Sequence, residues 1–208
     1  FADLPGYGGT PLMADFSAAA DALAACLPLG GDLIGWSLGG MLALAVAARH
    51  PDKVGRLVLI AGTASFVARD DWPDAMPPAE LDQFIAAAQA DMAALLPRFV
   101  ANFNRGERRA RALTREILAM GDPLPAQEAL AIGLNWLRTV DLRPLMPTVR
   151  CPTLILHGAE DPLMPLAGAR RLASILPDAR LEVLPGCAHA PFLSAPEAFL
   201  AHLEGFRP

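Results

Sequence analysis

Cysteine is scarce in this chain: Cys26, Cys151 and Cys187 are its three cysteines among 208 residues. Their number is odd and no pair is spaced as CxxC, which argues against both a disulfide framework and a thiolate zinc site. A reducing, cytoplasmic setting is the expectation. Basic charge is short as well, with 17 Lys and Arg against 22 Asp and Glu and a formal net charge of −5. A nucleic-acid partner normally requires a basic excess to neutralise phosphates, so none is expected, and any cationic patch must be local. No Asp/Glu/His cluster has metal-ligand spacing, so no metal is expected. The most apolar stretch, Leu38 to Ala48, is about half as long as a bilayer crossing, and no membrane partner is expected. Signal-peptide pattern, internal repeat and low-complexity tract are all missing. The chain begins on Phe1 and runs straight into Asp3-Leu4-Pro5-Gly6-Tyr7-Gly8-Gly9-Thr10. That is turn chemistry with no strand in front of it, and it reads as sequence missing upstream.

What is present is enough apolar residue, 53% hydrophobic against 19% charged, to bury one full core. Short apolar runs alternate with longer helical stretches, the mark of β-α-β units in a parallel sheet. The runs are Asp32 to Trp36, Val54 to Ile60, Thr153 to Leu156 and Leu181 to Leu184. Leu38 to His50, apolar nearly all round and stopped by Pro51, predicts a buried helix. Leu166 to Leu176 and Pro196 to Phe206 predict two more. From Ala64 to Val140 there is no convincing strand, only helical stretches broken by Pro73, Pro77, Pro78, Pro97, Pro123 and Pro125. The expectation is a core made of 1–63 and 141–208, with 64–140 inserted as a helical lid over the C-terminal edge of the strands.

Gly35-Trp36-Ser37-Leu38-Gly39 matches G-x-S-x-G directly after a strand and before a helix, which is the context that makes this pattern informative. A serine on so sharp a turn has strained backbone angles, and side-chain-free neighbours at Gly35 and Gly39 would let strand and helix approach. The turn also puts Ser37 at a helix N-terminus, where the Leu38 N–H can donate to a developing oxyanion. A serine hydroxyl needs a base in reach, and the base needs an acid to fix its tautomer. Both follow in the required chain order. His157-Gly158-Ala159-Glu160-Asp161-Pro162 brings a carboxylate to the end of the third strand, Asp161 being preferred to Glu160 because it precedes proline. Pro185-Gly186-Cys187-Ala188-His189-Ala190-Pro191-Phe192 brings the imidazole after the fourth. His50, His157 and His202 each have a structural explanation. Cys187 is read as a buried structural thiol.

Together with Phe66-Val67-Ala68-Arg69-Asp70-Asp71-Trp72-Pro73 and Thr139-Val140-Asp141-Leu142-Arg143, these segments resemble the pimeloyl-acyl-carrier protein methyl ester esterases of biotin synthesis, members of the α/β-hydrolase superfamily. The resemblance runs essentially end to end. It implies an α/β-hydrolase fold, a mostly parallel sheet flanked by helices with a helical lid and lacking the N-terminal strands. It further implies hydrolysis of the methyl ester to methanol and a free carboxylate, without metal or organic cofactor. Acyl-chain contacts would fall to Trp36 and Leu38 and to the stretch Phe99-Val100-Ala101-Asn102-Phe103. The family's His-Gly loop, source of a second oxyanion N–H, would precede residue 1, so the 208-residue piece is expected to be impaired where the full-length protein is active.

The residues themselves add a docking surface. Arg105, Arg108, Arg109, Arg111 and Arg115 would lie within an arc of about 160° if their segment were one helix. Guanidinium groups fork onto carboxylates and phosphate, so this face is a candidate dock for a strongly acidic acyl-carrier protein. Two other readings remain open: a general carboxylesterase or carbon-carbon bond hydrolase acting on a small free substrate, and a hydrolase-like binding protein with a disabled site. Ser37 at the nucleophile position excludes a dehalogenase, which needs Asp there.

Overall fold

The computed structural model describes residues 2–120 and 124–206. Among them, four strands form one sheet in chain order: β1 (Gly31–Trp36), β2 (Val54–Ile60), β3 (Thr153–Gly158) and β4 (Ala179–Leu184). Each neighbouring pair is parallel. Trp36 registers with Ile60, Ile60 with Leu156, and Gly158 with Leu184, so the C-terminal ends of all four strands open on one edge. The two inner strands carry the most continuous apolar runs because both of their faces are covered; β3 is buried at every position. β1 has β2 as its neighbour and alternates in burial, leaving Ile34 and Trp36 exposed.

The first helix, α1 (Phe16–Cys26), is capped by Asp15, whose carboxylate accepts the Ala18 N–H at 2.6 Å. The apolar-run reading missed it because its face is built largely of alanines. Next, α2 (Leu38–Arg49) starts immediately after Ser37 and buries every residue from Gly40 to Ala47. Its small side chains let it lie flat on the sheet, where each fully buried Leu contributes about 1.5–3 kcal/mol. Burial of Met41, Leu42, Leu44 and Val46 thereby anchors the turn that presents Ser37.

Between β2 and β3 the chain forms α3 (Pro78–Phe103), α4 (Ala110–Met120) and α5 (Gln127–Thr139). Strand-like pairing there is confined, among the described residues, to the isolated bridges Val67 with Met76 and Arg69 with Trp72. Pro78 begins α3, whereas Pro97 lies inside it instead of ending a helix. The break falls at Asp91 (φ −162°, ψ 90°), whose carboxylate accepts the Ala94 N–H at 3.0 Å and caps a new helix. Pro123 lies outside the described residues. By length and composition alone this 26-residue helix passes as a membrane span. The break at Asp91 divides it into 78–90 and 92–103, each well short of the ~20 residues that a crossing needs. After β3 come α6 (Leu166–Ile175), then β4, α7 (Pro191–Ser194) and α8 (Pro196–Glu204).

Candidate active site

The turn from β1 to α2 is held by the Ser37 N–H donating to Ile60 O at 3.0 Å, and it places Ser37 at φ 54°, ψ −121°. Ser37 and Ala61 are the described non-glycine residues with positive φ, and Ser37 precedes α2 directly. A Cβ at Gly35 would meet Gly39 O at 2.5 Å and Gly40 Cα at 2.7 Å, so strand and helix touch there. Gly39 does not have the role its place in the motif implies, since a Cβ on it would meet nothing within 4 Å. Gly40 is the second contact, its added Cβ lying 3.3 Å from Gly35 O. Gly35→Ala is therefore expected to unfold or strongly destabilise the protein, while Gly39→Ala should melt within a few degrees of the parent, as thermal denaturation of the two would show. Among the described residues the Leu38 N–H has no acceptor, leaving it free at the helix N-terminus beside Ser37 Oγ.

The loops after β3 and β4 meet at Gly158, where a Cβ would fall 2.0 Å from Ala188 O. That contact brings Asp161 and His189 together. His189 Nδ1 lies 2.8 Å from Asp161 Oδ2, and His189 Nε2 lies 3.0 Å from Ser37 Oγ. Asp161 and His189 are 6% and 3% exposed, so the pair is shielded from water, while Ser37 is half-buried. Glu160, the alternative acid, is exposed. Asp161 Oδ1 accepts the N–H groups of Leu163 at 2.9 Å and Met164 at 3.0 Å. Burial pulls its carboxyl upward, but the hydrogen bonds from His189 and from the Met164 N–H outweigh it and leave its pKa below the ordinary value. Burial and the Glu107 charge push the Cys187 thiol up, away from thiolate character.

His157 lies behind this pair, wholly buried, and its Nε2–H donates to Met164 O at 2.8 Å. Nδ1 has no hydrogen-bond partner among the described residues, so the ring sits neutral. Burial lowers its pKa from the ordinary 6.5. The unfolded chain therefore takes up a proton near pH 6.5 that the folded protein refuses, and stability should fall as pH drops below that value, by up to about 1.4 kcal/mol per pH unit. Denaturant unfolding at pH 5 and pH 7 should show this slope, and His157→Gln, which keeps a donor for Met164 O without titrating, should flatten it. A slope unchanged in the Gln variant would exclude His157 as its source.

Around the imidazole stand aromatic groups from β1 and α3. Trp36 Nε1–H donates to His189 O at 3.0 Å, with the two ring centroids 5.7 Å apart. Phe103 lies edge-on to His189 at 6.0 Å and Phe99 lies 5.6 Å from Phe103. Trp36 is partly exposed, Phe99 is half-buried and Phe103 is buried.

The five arginines are all exposed, yet they do not share one helix. Only Arg111 and Arg115 lie on α4; Arg105, Arg108 and Arg109 precede it in a turn closed by Glu107 N–H to Asn104 O at 3.1 Å. The expected continuous helical face is corrected to a turn followed by a helix, because Gly106 adopts φ 91°, a left-handed conformation that stops helical propagation. Arg109 is also paired with Glu116 at 3.1 Å.

The α/β-hydrolase fold family matches residues 2–196 of the chain. A pimeloyl-acyl-carrier protein methyl ester esterase of Aromatoleum aromaticum is 45% identical over 204 residues, covering 93% of this chain and 81% of that protein. One from Chromobacterium violaceum is 39% identical, with 97% and 82% covered. The chain belongs to this esterase family. Among solved structures, an esterase from Exiguobacterium antarcticum superposes with a TM-score of 0.87 at 26% identity, over 98% of this chain and 79% of that one. A bromoperoxidase from Bacillus anthracis, at 18% identity and a TM-score of 0.83 over the same shares of 98% and 79%, has the fold in common.

Two segments that carried the likeness to the esterase family, Arg69 to Trp72 and Asp141 to Arg143, meet at the foot of the inserted helices. Arg143 grips Asp141 through Nε and Nη2, each at 2.8 Å, and bonds Asp71 through Nη1. Its guanidinium and that of Arg171 lie 5.9 and 5.8 Å from the Trp72 ring centre. The two ends of the insertion are thus tied by charge-assisted bonds over a buried indole. Arg143 is the main cause of the depressed Asp141 pKa.

Proposed function

We propose that this chain is a serine carboxylesterase of biotin synthesis, cleaving the methyl ester of pimeloyl-acyl-carrier protein through a Ser37-His189-Asp161 triad. The observation carrying the reading is the unbroken run of hydrogen-bond contacts from Ser37 Oγ through His189 to Asp161, in a chain whose relatives are named for that ester. Ser37 Oγ attacks the ester carbonyl carbon as His189 Nε2 takes the hydroxyl proton. The oxyanion that forms is stabilised by the Leu38 N–H, and Asp161 holds the imidazolium in place. Collapse expels methanol with the proton returned by His189, leaving an acyl-enzyme on Ser37. Water, deprotonated by the same nitrogen, then attacks the acyl carbon; the bond to Ser37 Oγ breaks, Oγ regains the proton from His189, and the free carboxylate leaves.

Trp36, Phe99 and Phe103 supply an apolar wall for the acyl chain, and the helices of 64–140 act as the lid over it. Arg105, Arg108, Arg109, Arg111 and Arg115 form the dock for the acidic carrier. The free thiols fit a reducing cytoplasm. Charge reversal at Arg108 and Arg109 is expected to raise KM for the carrier-linked ester by roughly tenfold or more while leaving a small methyl ester unaffected. Equal effects on both would remove the docking role and leave a small free ester as substrate. The whole gene should also rescue biotin auxotrophy in cells lacking this esterase.

A further inference from the structure

Glu107 sits in the turn between α3 and α4, among exposed arginines, yet it is only 8% exposed. Its Oε2 accepts the backbone N–H of Ala188 at 3.0 Å. Ala188 immediately precedes His189, so the carboxylate grips the loop that carries the imidazole. Two longer bonds run between the same segments: Arg108 N–H to Gly186 O and His189 N–H to Phe103 O, both 3.4 Å. On the far side, Trp36 Nε1–H holds His189 O at 3.0 Å. The turn also leans on the acid loop, since a Cβ at Gly106 would lie 2.9 Å from Glu160 Cβ. A carboxylate taken out of water is costly unless it is hydrogen-bonded, and a bond from an N–H to an ionised oxygen is about twice as strong as a neutral one.

We infer that Glu107 is a positioning residue for the general base: its carboxylate fixes the Ala188 N–H and so sets the His189 imidazole between Ser37 Oγ and Asp161. The inference rests on the triad reading given above. It joins the arginine-bearing turn and the base loop in one hydrogen-bonded unit. Glu107 touches neither the ester nor the reacting atoms; it acts through the geometry of His189, and misplacement of a catalytic group by about 1 Å costs on the order of 100-fold in rate.

Three variants test this. Glu107→Ala and Glu107→Leu, which lack an acceptor, are expected to lower kcat by roughly 10- to 100-fold with KM nearly unchanged. The loss should be the same for a small methyl ester and for the carrier-linked one, unlike that of the arginine variants, and fluorophosphonate labelling of Ser37 should slow by a similar factor. Glu107→Gln, whose amide oxygen accepts the same N–H, is expected to keep most of the activity. If the alanine variant does not melt cooperatively, the Gln and Leu pair carries the comparison. Normal kcat in the variants without an acceptor overturns the inference. So does a Gln variant as impaired as Leu, or a loss confined to the carrier-linked ester. Ser37→Ala assayed in parallel separates the two levels. Hydrolysis near the parental rate there overturns the triad reading itself, whereas its near-abolition beside an unimpaired Glu107→Leu overturns only the role of Glu107.

Discussion

Ser37→Ala is expected to lower ester turnover by about a million-fold, the scale on which removing the nucleophile of a serine hydrolase acts. The reason is local. Oγ lies 3.0 Å from His189 Nε2, and among the described residues no other hydrogen-bond partner meets that nitrogen, so no neighbouring group substitutes for it. Fluorophosphonate should modify the parent stoichiometrically and leave the alanine variant unlabelled. The stability of the same position makes a second reading of the strain. At φ 54° a non-glycine residue is held at a cost of order 1–3 kcal/mol. Ser37→Gly should therefore be as inactive as the alanine variant while melting higher, because glycine enters that region freely. A glycine variant that melts lower than the parent would show that the turn is not strained.

Asp161→Asn is expected to cost about 10⁴-fold in kcat, with the fold retained. The asparagine oxygen can still accept the Leu163 and Met164 N–H groups that hold this loop. Its amide, however, would donate toward His189 Nδ1, forcing the ring proton onto Nε2, where it faces Ser37 Oγ and cannot accept from it. The exposed neighbour provides the control: Glu160→Gln should leave kcat within about twofold, and the opposite ranking would transfer the acid role to Glu160. Stability at low pH follows from the same carboxylate. Its folded pKa lies below the ordinary value, so its contribution is complete above the unfolded pKa near 3.9 and is lost as pH falls through the folded value. The Asn variant lacks that contribution, and its denaturant midpoint should change less than the parent's between pH 4 and pH 2.

The inner strands β2 and β3 and the helix α2 were legible because burial on both faces leaves an unbroken apolar run, as in Leu57 to Ile60, and because Pro51 marks where the helix stops. The candidate nucleophile, base and acid could be picked out because each sits in a loop directly after a strand, and parallel strands bring all such loops to one edge. Less was visible elsewhere. Asp91 was not read as a helix break, since an Asp is as common on an exposed helix face as at a cap. The arginines share one face only if their segment is a single helix, and charge periodicity carries no sign of the left-handed turn at Gly106 that divides it. Glu107, set among arginines, resembles a solvated surface residue, and the chain position of its partner, Ala188, is 81 residues away.

By itself the sequence determined which residue types could do the chemistry and at which strand ends they lie, because side-chain periodicity and turn residues are local properties of the chain. Tertiary structure alone decided which groups meet. The approach of Gly158 to Ala188, the contact of Asp161 with His189, the burial of His157 and the grip of Glu107 on the base loop all depend on distances between segments far apart in sequence. Such contacts follow from packing of the whole core, and no pattern within a single segment encodes them.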